Sequence, residues 1–304
     1  MRHDRRGFAL LAALWALVLA AALAADLHAR ARGGLAGASA ARSAARARWA
    51  ARGGLAHAEE ALRAHLAASA AAGAALGTDT LLVPVEELDL DGVLVRVTVV
   101  DARARVQLNL ATAEELRTLA AEAGAPGDPA AFASAVARWR AERAPRWTSA
   151  PEDSLAEPLR APPGAFHSVA ELRAVPGVTG EQYRAVAPYL TVASDGRIDL
   201  NTAPVPVLAT LPGFDREAAL AVAARRTRAP YVTAYEIAGG LPANARLHVQ
   251  DAMAGLLLRV AFAPREAEVR VRASQPGRPG FAEIRAVAVL AGGRLAPVTQ
   301  VAER

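Results

Sequence analysis

The sequence predicts an α+β fold: a long N-terminal helix packed on an antiparallel sheet, with a large inserted all-α domain containing helix-hairpin-helix-like units. Three observations carry this. Phe8 to Ala25 holds no charge and runs on, without a proline, through an Ala-, Leu- and Arg-dominated stretch to Ala72. Valines alternate along 93–100, and alternation returns only near the end of the chain, along 268–273. Between them lie about 140 residues in which helix-capping spacings recur.

The N-terminal segment comes first. Met1 to Gly7 is short and basic, and the 18 apolar residues that follow just reach the length of a membrane-spanning helix. Arg2, Arg5 and Arg6 on its N-terminal side predict a cytoplasmic N-terminus and an external body. Three readings fit: a secretory signal peptide cut after Ala22-Leu23-Ala24, a plain anchor, and a type IV prepilin leader cut between Gly7 and Phe8. The run exceeds the usual signal core and continues into strong helix formers. From Phe8 to Ala72 a continuous helix would extend roughly 100 Å. Gly33, Gly34, Gly37, Gly53 and Gly54 are its weak points.

Composition removes whole classes of chemistry. The 304 residues include no cysteine, hence no thiol nucleophile, thiolate metal site or disulfide. All 35 basic residues are arginine, which removes the lysines of P-loops, kinases and Schiff-base enzymes. His3, His28, His57, His65, His167 and His248 form no metal-ligand spacing. The net charge of +5 divides unevenly: residues 1–65 carry +6 and the rest −1. The basic excess therefore suits anionic lipid or a partner's acids beside the membrane, and the balanced body argues against tracking phosphates.

Beyond the helix, Leu81 to Val85 reads as an edge strand because Pro84 cannot donate to a ladder. Val93 to Val100 reads as a half-buried strand after an Asp91-Gly92 turn. Further strands are predicted over 256–263, 268–273, 281–290 and 295–301 as an antiparallel meander. In the insert, Val106-Gln-Leu-Asn109 with Thr112 echoes Ile198-Asp-Leu-Asn201 with Thr202, taking Leu110 and Ala111 as extra residues. Thr112/Glu115, Ser168/Glu171, Thr179/Gln182 and Thr233/Glu236 have capping-box spacing, predicting several short helices. Trp139 and Trp147 flank an arginine-rich stretch and read as packing residues, whereas Trp15 lies mid-span.

Two helix pairs share a turn, at Pro176-Gly177 and at Pro212-Gly213, and both look like helix-hairpin-helix motifs. DNA-binding hairpins offer backbone N–H groups to a phosphate. Here Thr179 and Asp215 replace the second glycine, so both turns read more simply as packing devices. Arg225, Arg226 and Arg228 keep a DNA-binding reading open, although arginines also suit a helix C-terminus.

The Arg6-Gly7-Phe8 leader, the long helix, the Gln107-Leu-Asn109 opening of the insert and Asp199-Leu-Asn-Thr-Ala-Pro204 together resemble the minor pseudopilin K family of type II secretion. The resemblance runs through nearly the whole chain in order, most specifically from Pro176-Gly177 through Ala187-Pro-Tyr-Leu-Thr-Val192 to Pro204. It implies a prepilin leader over 1–7, a transmembrane segment over 8–25 and a periplasmic helix over 26–76. A pilin-like sheet would follow over 77–105 and 249–304, split by a helical insert over 106–248. It also implies a non-catalytic subunit of the bacterial inner membrane with a periplasmic body, cut by the prepilin peptidase. Its place would be the pseudopilus tip, in a heteromeric complex with other minor pseudopilins, near secreted proteins or the outer-membrane secretin.

Most pilins carry a glutamate at the fifth mature position; here that position is Ala12, as in this family. A lone carboxylate in hydrocarbon is costly, so a capping subunit gains by lacking one. Family members often bind calcium in the insert. The corresponding acids are Glu142, Glu152, Asp153 and Glu157, scattered through a proline-rich loop rather than converging as calcium requires. No other cofactor is implied. The competing function is a membrane-anchored helix-hairpin-helix DNA receptor of a competence-type system. Glycine replacement in the hairpins and the charge partition favour the secretion reading, with no nucleic acid as partner.

Overall fold

A computed structural model describes residues 4–72, 82–143, 166–278, 281–291, 294–295 and 299–303. Helix α1 runs from Asp4 to Ala72, 69 residues. Among the described residues no helix is long and apolar enough to cross a membrane. The apolar run 8–25 includes Phe8, Ala9, Leu10 and Ala12, whose side chains lie outside the description. From Leu11 to Leu27 the described large apolar side chains of α1 are all exposed.

The distal half of α1 lies on a sheet. Its buried stripe is Ala47, Ala51, Gly54, Ala58, Leu62 and Leu66, a helical spacing of three and four. Small residues dominate the contact, so helix and strands approach closely. A Cβ at Gly54 would stand 2.6 Å from Val95 Cγ1 and 2.7 Å from Val271 Cγ1. Opposite the stripe are the inward valines and alanines of the sheet, including Val93, Val95, Val97, Val99, Val269, Val271 and Ile284. Burying each large aliphatic side chain contributes roughly 1.5–3 kcal/mol.

The main sheet is antiparallel along the path β1 (Glu86–Asp89), β2 (Leu94–Asp101), β7 (Glu266–Ser274), β8 (Phe281–Ala291) and β10 (Thr299–Glu303), with β9 (Arg294–Leu295) on β8. The edge strand therefore starts after Pro84 rather than at Leu81. Leu82 and Val83 are buried beside the sheet, and Leu82 N–H still donates to Val99 O at 3.0 Å. Asp91 and Gly92 both take positive φ, completing the turn into β2.

Between β2 and β7 the chain builds a second, separate hydrophobic core. Its elements are β3 (Val106–Gln107), α2 (Ala113–Glu122), α3 (Pro129–Arg143), a 3₁₀ segment (Val169–Ala174), α4 (Gly180–Val186) and β4 (Leu190–Thr191). There follow β5 (Ile198–Asp199), α5 (Val205–Leu208), α6 (Arg216–Arg226), α7 (Tyr235–Gly239), α8 (Ala243–Asp251), α9 (Met253–Arg259) and β6 (Val260–Ala261). The first half of the strand read over 256–263 is thus helix, because Leu256 N–H continues the helical ladder to Ala252 O. The remainder pairs parallel with β5 inside the insert instead of joining the main sheet. The boundary drawn at 248/249 falls within α8, and the main sheet resumes at Glu266.

The insert is two copies of one plan. In each, a short strand opens the unit and a parallel strand closes it: β3 with β4, and β5 with β6. Gln107 to Thr112 superposes in role on Asp199 to Pro204 without a gap. Ala111 N–H donates to Gln107 O and Ala203 N–H to Asp199 O, both at 2.9 Å. Leu110 and Ala111 are therefore not extra residues. Thr112 corresponds to Pro204 as the residue before the helix, and Thr202 corresponds to Leu110.

Candidate assembly site

Two features stand out: the uncovered face of α1 and the junction that fixes the insert to the sheet. On α1 the face opposite the buried stripe carries Trp49, 71% exposed, with the Arg52 guanidinium 5.3 Å from its ring centroid. A large exposed aromatic beside a cation is a common anchor of protein interfaces.

The junction begins at Asp101, the last residue of β2, and returns at Glu266, the first of β7. Arg103 is nearly buried and spans it. Its Nε and Nη2 donate to Asp195 at 3.2 and 2.5 Å, and its Nη1 donates to Ala263 O at 3.1 Å. Arg105 Nη1 donates to Glu268 Oε2 at 2.6 Å, and Thr191 Oγ1 donates to the other oxygen of that carboxylate. Thr202 Oγ1 donates to Asp101 Oδ2 at 2.5 Å, tying the second half of the insert to β2. Asp101 and Asp199 are both fully buried. Burial raises Asp101 to about 6. Burial, with the Asp101 charge adding to it, raises Asp199 to about 8. Asp199 Oδ2 has no hydrogen-bond partner. Charges removed from water and facing one another hold their protons.

Two asparagines clamp the insert. Asn109 Nδ2 donates to Phe166 O at 2.9 Å while its Oδ1 accepts from Phe166 N at 2.7 Å. Asn201 does the same for Tyr231, at 2.9 and 2.7 Å, and also donates to Phe262 O at 3.0 Å. An amide side chain with both donor and acceptor can pair a buried peptide as a strand would. Arginines follow the same repeat: Arg140 Nη1 donates to Leu108 O, and Arg226 Nη1 to Leu200 O and Ala203 O. The sequence reading found the two asparagines but missed the aromatic and arginine partners. The signal was present in Phe166-x-Ser168-x-x-Glu171-Leu against Tyr231-x-Thr233-x-x-Glu236-Ile.

The two predicted hairpins occupy different positions in the repeat. Pro176-Gly177 joins the 3₁₀ segment to α4, whereas Pro212-Gly213 joins α5 to α6. The true counterpart of Pro212-Gly213 is Pro126-Gly127, between α2 and α3. Gly127, Gly177 and Gly213 all have positive φ. At Gly213 a Cβ would lie 2.6 Å from His248 O and 2.8 Å from Ala252 Cβ, so that turn is packed hard against α8. The residues standing in for the second hairpin glycine cap the next helix. Thr179 Oγ1 accepts from Gln182 N at 3.1 Å and Asp215 Oδ1 from Ala218 N at 2.7 Å. Those amides are the ones a phosphate would use. Arg225 stacks on Tyr231 and pairs with Glu236 at 2.6 Å, and Arg226 is committed to carbonyls. Two of the three arginines that kept DNA in view are thus engaged within the fold, and Arg228 is exposed just past the end of α6.

Capping boxes at Thr112/Glu115 and Thr179/Gln182 are reciprocal. Ser168/Glu171 also forms a capping box, while at Thr233 the glutamate turns back to backbone. Glu171 accepts from His167 N and Ser168 N, and Glu236 from Val232 N and Thr233 N. Trp139 packs on the insert core with Arg143 over its ring. Gly7 and Phe8 lie within the span of α1, and their side chains, like that of Ala12, are outside the described residues. So are Trp147, Glu152, Asp153 and Glu157; Glu142 is exposed near the end of α3. Among the described residues no group of three or more histidines or acids could hold a metal ion.

Residues 94–195, which span β2, the junction and the first unit of the insert, match the family model described as type II secretion system protein K. Over that segment the chain is similar to type II secretion system protein K. No curated relative matches the sequence. Among solved structures, the fold is similar to a chain in the structure described as the GspK-GspI-GspJ complex of the enterotoxigenic Escherichia coli type 2 secretion system. That match has a TM-score of 0.51 and 14% identity, and covers 86% of this chain and 98% of the other.

Proposed function

We propose that this protein, a minor pseudopilin of type II secretion, caps the tip of the pseudopilus. The protein K match over β2 and the first unit of the insert supports this reading. The tip placement rests on the insert, which is built around its own core beside the sheet and would obstruct a further subunit stacked above it. In this reading Gly7–Phe8 is the cleavage site of the prepilin peptidase, residues 8–25 anchor the chain in the inner membrane and the body is periplasmic. Ala12 leaves no acid for another subunit's terminal amine, as a cap requires. The partners are companion minor pseudopilins of the I and J kinds, in line with the complex formed by the structural neighbour.

The uncovered face of α1 around Trp49 is the contact this reading assigns to those partners. The full chain, purified in detergent, should stay monomeric alone and co-purify with the two companions as one defined heteromer. Trp49→Asp should weaken that association by about tenfold or more, as expected for a central aromatic anchor. Self-assembly into fibres, or an unaltered heteromer in the variant, would refute the assignment.

A further inference from the structure

The sheet has a second face, turned away from α1, and its charge pattern is unusual. Cross-strand register sets Arg96 directly opposite Arg272, and Arg270 directly opposite Arg285. Directly opposed residues on one face stand about 4.5–5.5 Å apart, and like charges there are destabilising. The four arginines share two glutamates. Glu87 pairs with Arg96, while Glu283 serves both Arg285 at 2.6 Å and Arg270 at 3.9 Å. Arg272 has no ion pair among the described residues; its guanidinium lies over the Phe281 ring at 4.3 Å.

Several arginines elsewhere are placed differently. On the helices Arg63, Arg117, Arg184 and Arg216 each face a glutamate. At the junction Arg103 and Arg105 are nearly buried against carboxylates. On this sheet face guanidiniums are set directly opposite one another across the strands, with two glutamates among four arginines, at a cost to the isolated fold. One row further from the insert, Leu94 and Phe281, each 49% exposed, form an apolar ledge on the same face.

We propose that this face docks an acidic protein segment, with Arg96, Arg270, Arg272 and Arg285 as its carboxylate-binding groups and Leu94 and Phe281 as its apolar ledge. Guanidinium forks match carboxylates in a bidentate manner. Spacing of about 7 Å along a strand suits acids at alternate positions of an extended partner. Glu87 and Glu283, interleaved with the arginines, would repel a phosphate backbone carrying a charge at every step, so the pattern selects discrete carboxylates. This surface is distinct from the Trp49 face of α1, and its failure would leave the pseudopilin assignment untouched.

The test uses the full chain in detergent and a fluorescein-labelled 12-residue peptide of alternating Glu and Leu, read by anisotropy. Wild-type binding should be present at low salt and fall steeply with added chloride. R270E/R272E should weaken it by about tenfold or more, and the neutral R270Q/R272Q by about threefold, guarding against a misfolded reversal. R117E/R184E, with the same charge change on the insert's surface, should stay within about twofold. Absence of salt-sensitive binding, an equal loss in the insert control, or tighter arginine-dependent binding of a labelled 12-base-pair duplex would each overturn the proposal.

Discussion

The first unit of the insert (106–191) and the second (198–261) follow one plan, yet they differ in how much depends on each part. Both open with a buried strand whose asparagine grips the backbone of an aromatic residue about as a neighbouring strand would. Both then place an arginine at the end of the second helix, donating to the carbonyls of the opening turn. Between that arginine and the aromatic, the first unit spends 25 residues and the second only four, read from 141–165 and 227–230. The long connection is where the calcium candidates fall. The two units thus agree where a buried peptide has one side-chain partner and differ in the length of chain between those positions.

The sharpest way to break this comparison is to remove the clamps. Asn201 is buried and satisfies three backbone groups, whereas Asn109 is partly buried and satisfies two. Each buried group left without a partner costs about 1–3 kcal/mol. Asn201→Ala should therefore cost about 3–5 kcal/mol and Asn109→Ala about 2–3. Hydrogen exchange of the Tyr231 and Phe166 amides would read the two losses separately. Equal deprotection of both amides in either variant would mean the units melt as one, and that the clamps are not local.

The turns give a smaller contrast. Gly213 and Gly127 share a positive φ, which costs a non-glycine residue about 1–2 kcal/mol. At Gly213 an added Cβ also meets backbone, His248 O at 2.6 Å, whereas at Gly127 it meets only the side-chain amide of Gln182 at 3.3 Å. Gly213→Ala should accordingly cost about 2–4 kcal/mol and Gly127→Ala about 1–2, measured by chemical denaturation. Similar losses would show that α8 yields, and that the second turn is not the tighter one.

These contrasts explain what could be read from the sequence. Valine alternation gave β2 and β7 because period two survives wherever one face is buried. The repeat was visible at Gln107-Leu-Asn109 and Asp199-Leu-Asn201, where the first side chain accepts from the backbone N–H of the asparagine two residues on. It was misaligned at the next step because both copies carry a threonine nearby. Thr112 caps a helix, while Thr202 leaves the repeat to bind Asp101 across the junction, a tertiary demand no local pattern reports. The hairpins were paired by their shared Pro-Gly, although Pro-Gly states only that a turn needs positive φ. The strand read at 256–263 failed for a related reason: Leu256-Leu-Leu258 is apolar in either period, and packing against α8 settled the helix. The outward arginines were counted in the net charge, but only the register sets Arg96 opposite Arg272.

The last contrast concerns position 199 and its counterpart, Gln107. Gln107 is neutral and satisfied, donating to Ser194 O and accepting from Asn109 N. Asp199 accepts from Asn201 N through one oxygen and leaves the other buried without a partner. With Asp199 raised to about 8 and Asp101 to about 6, against an unfolded value of roughly 3.9, the folded chain binds more protons than the unfolded one. Stability must then fall as pH rises through that window, and level off once both carboxyls are ionised in either state. Thermal melting of the wild-type chain between pH 5 and 9 should show this decline. Asp199→Asn keeps the acceptor for Asn201 N and removes both the titration and the repulsion of Asp101. It should flatten most of the slope and raise stability at pH 8 relative to wild type. A smaller slope should persist from Glu266, which burial also raises. A wild-type melting temperature that climbs from pH 5 to 8, or an Asn variant that keeps the full decline, would show that the pair does not hold its protons in the fold as burial predicts.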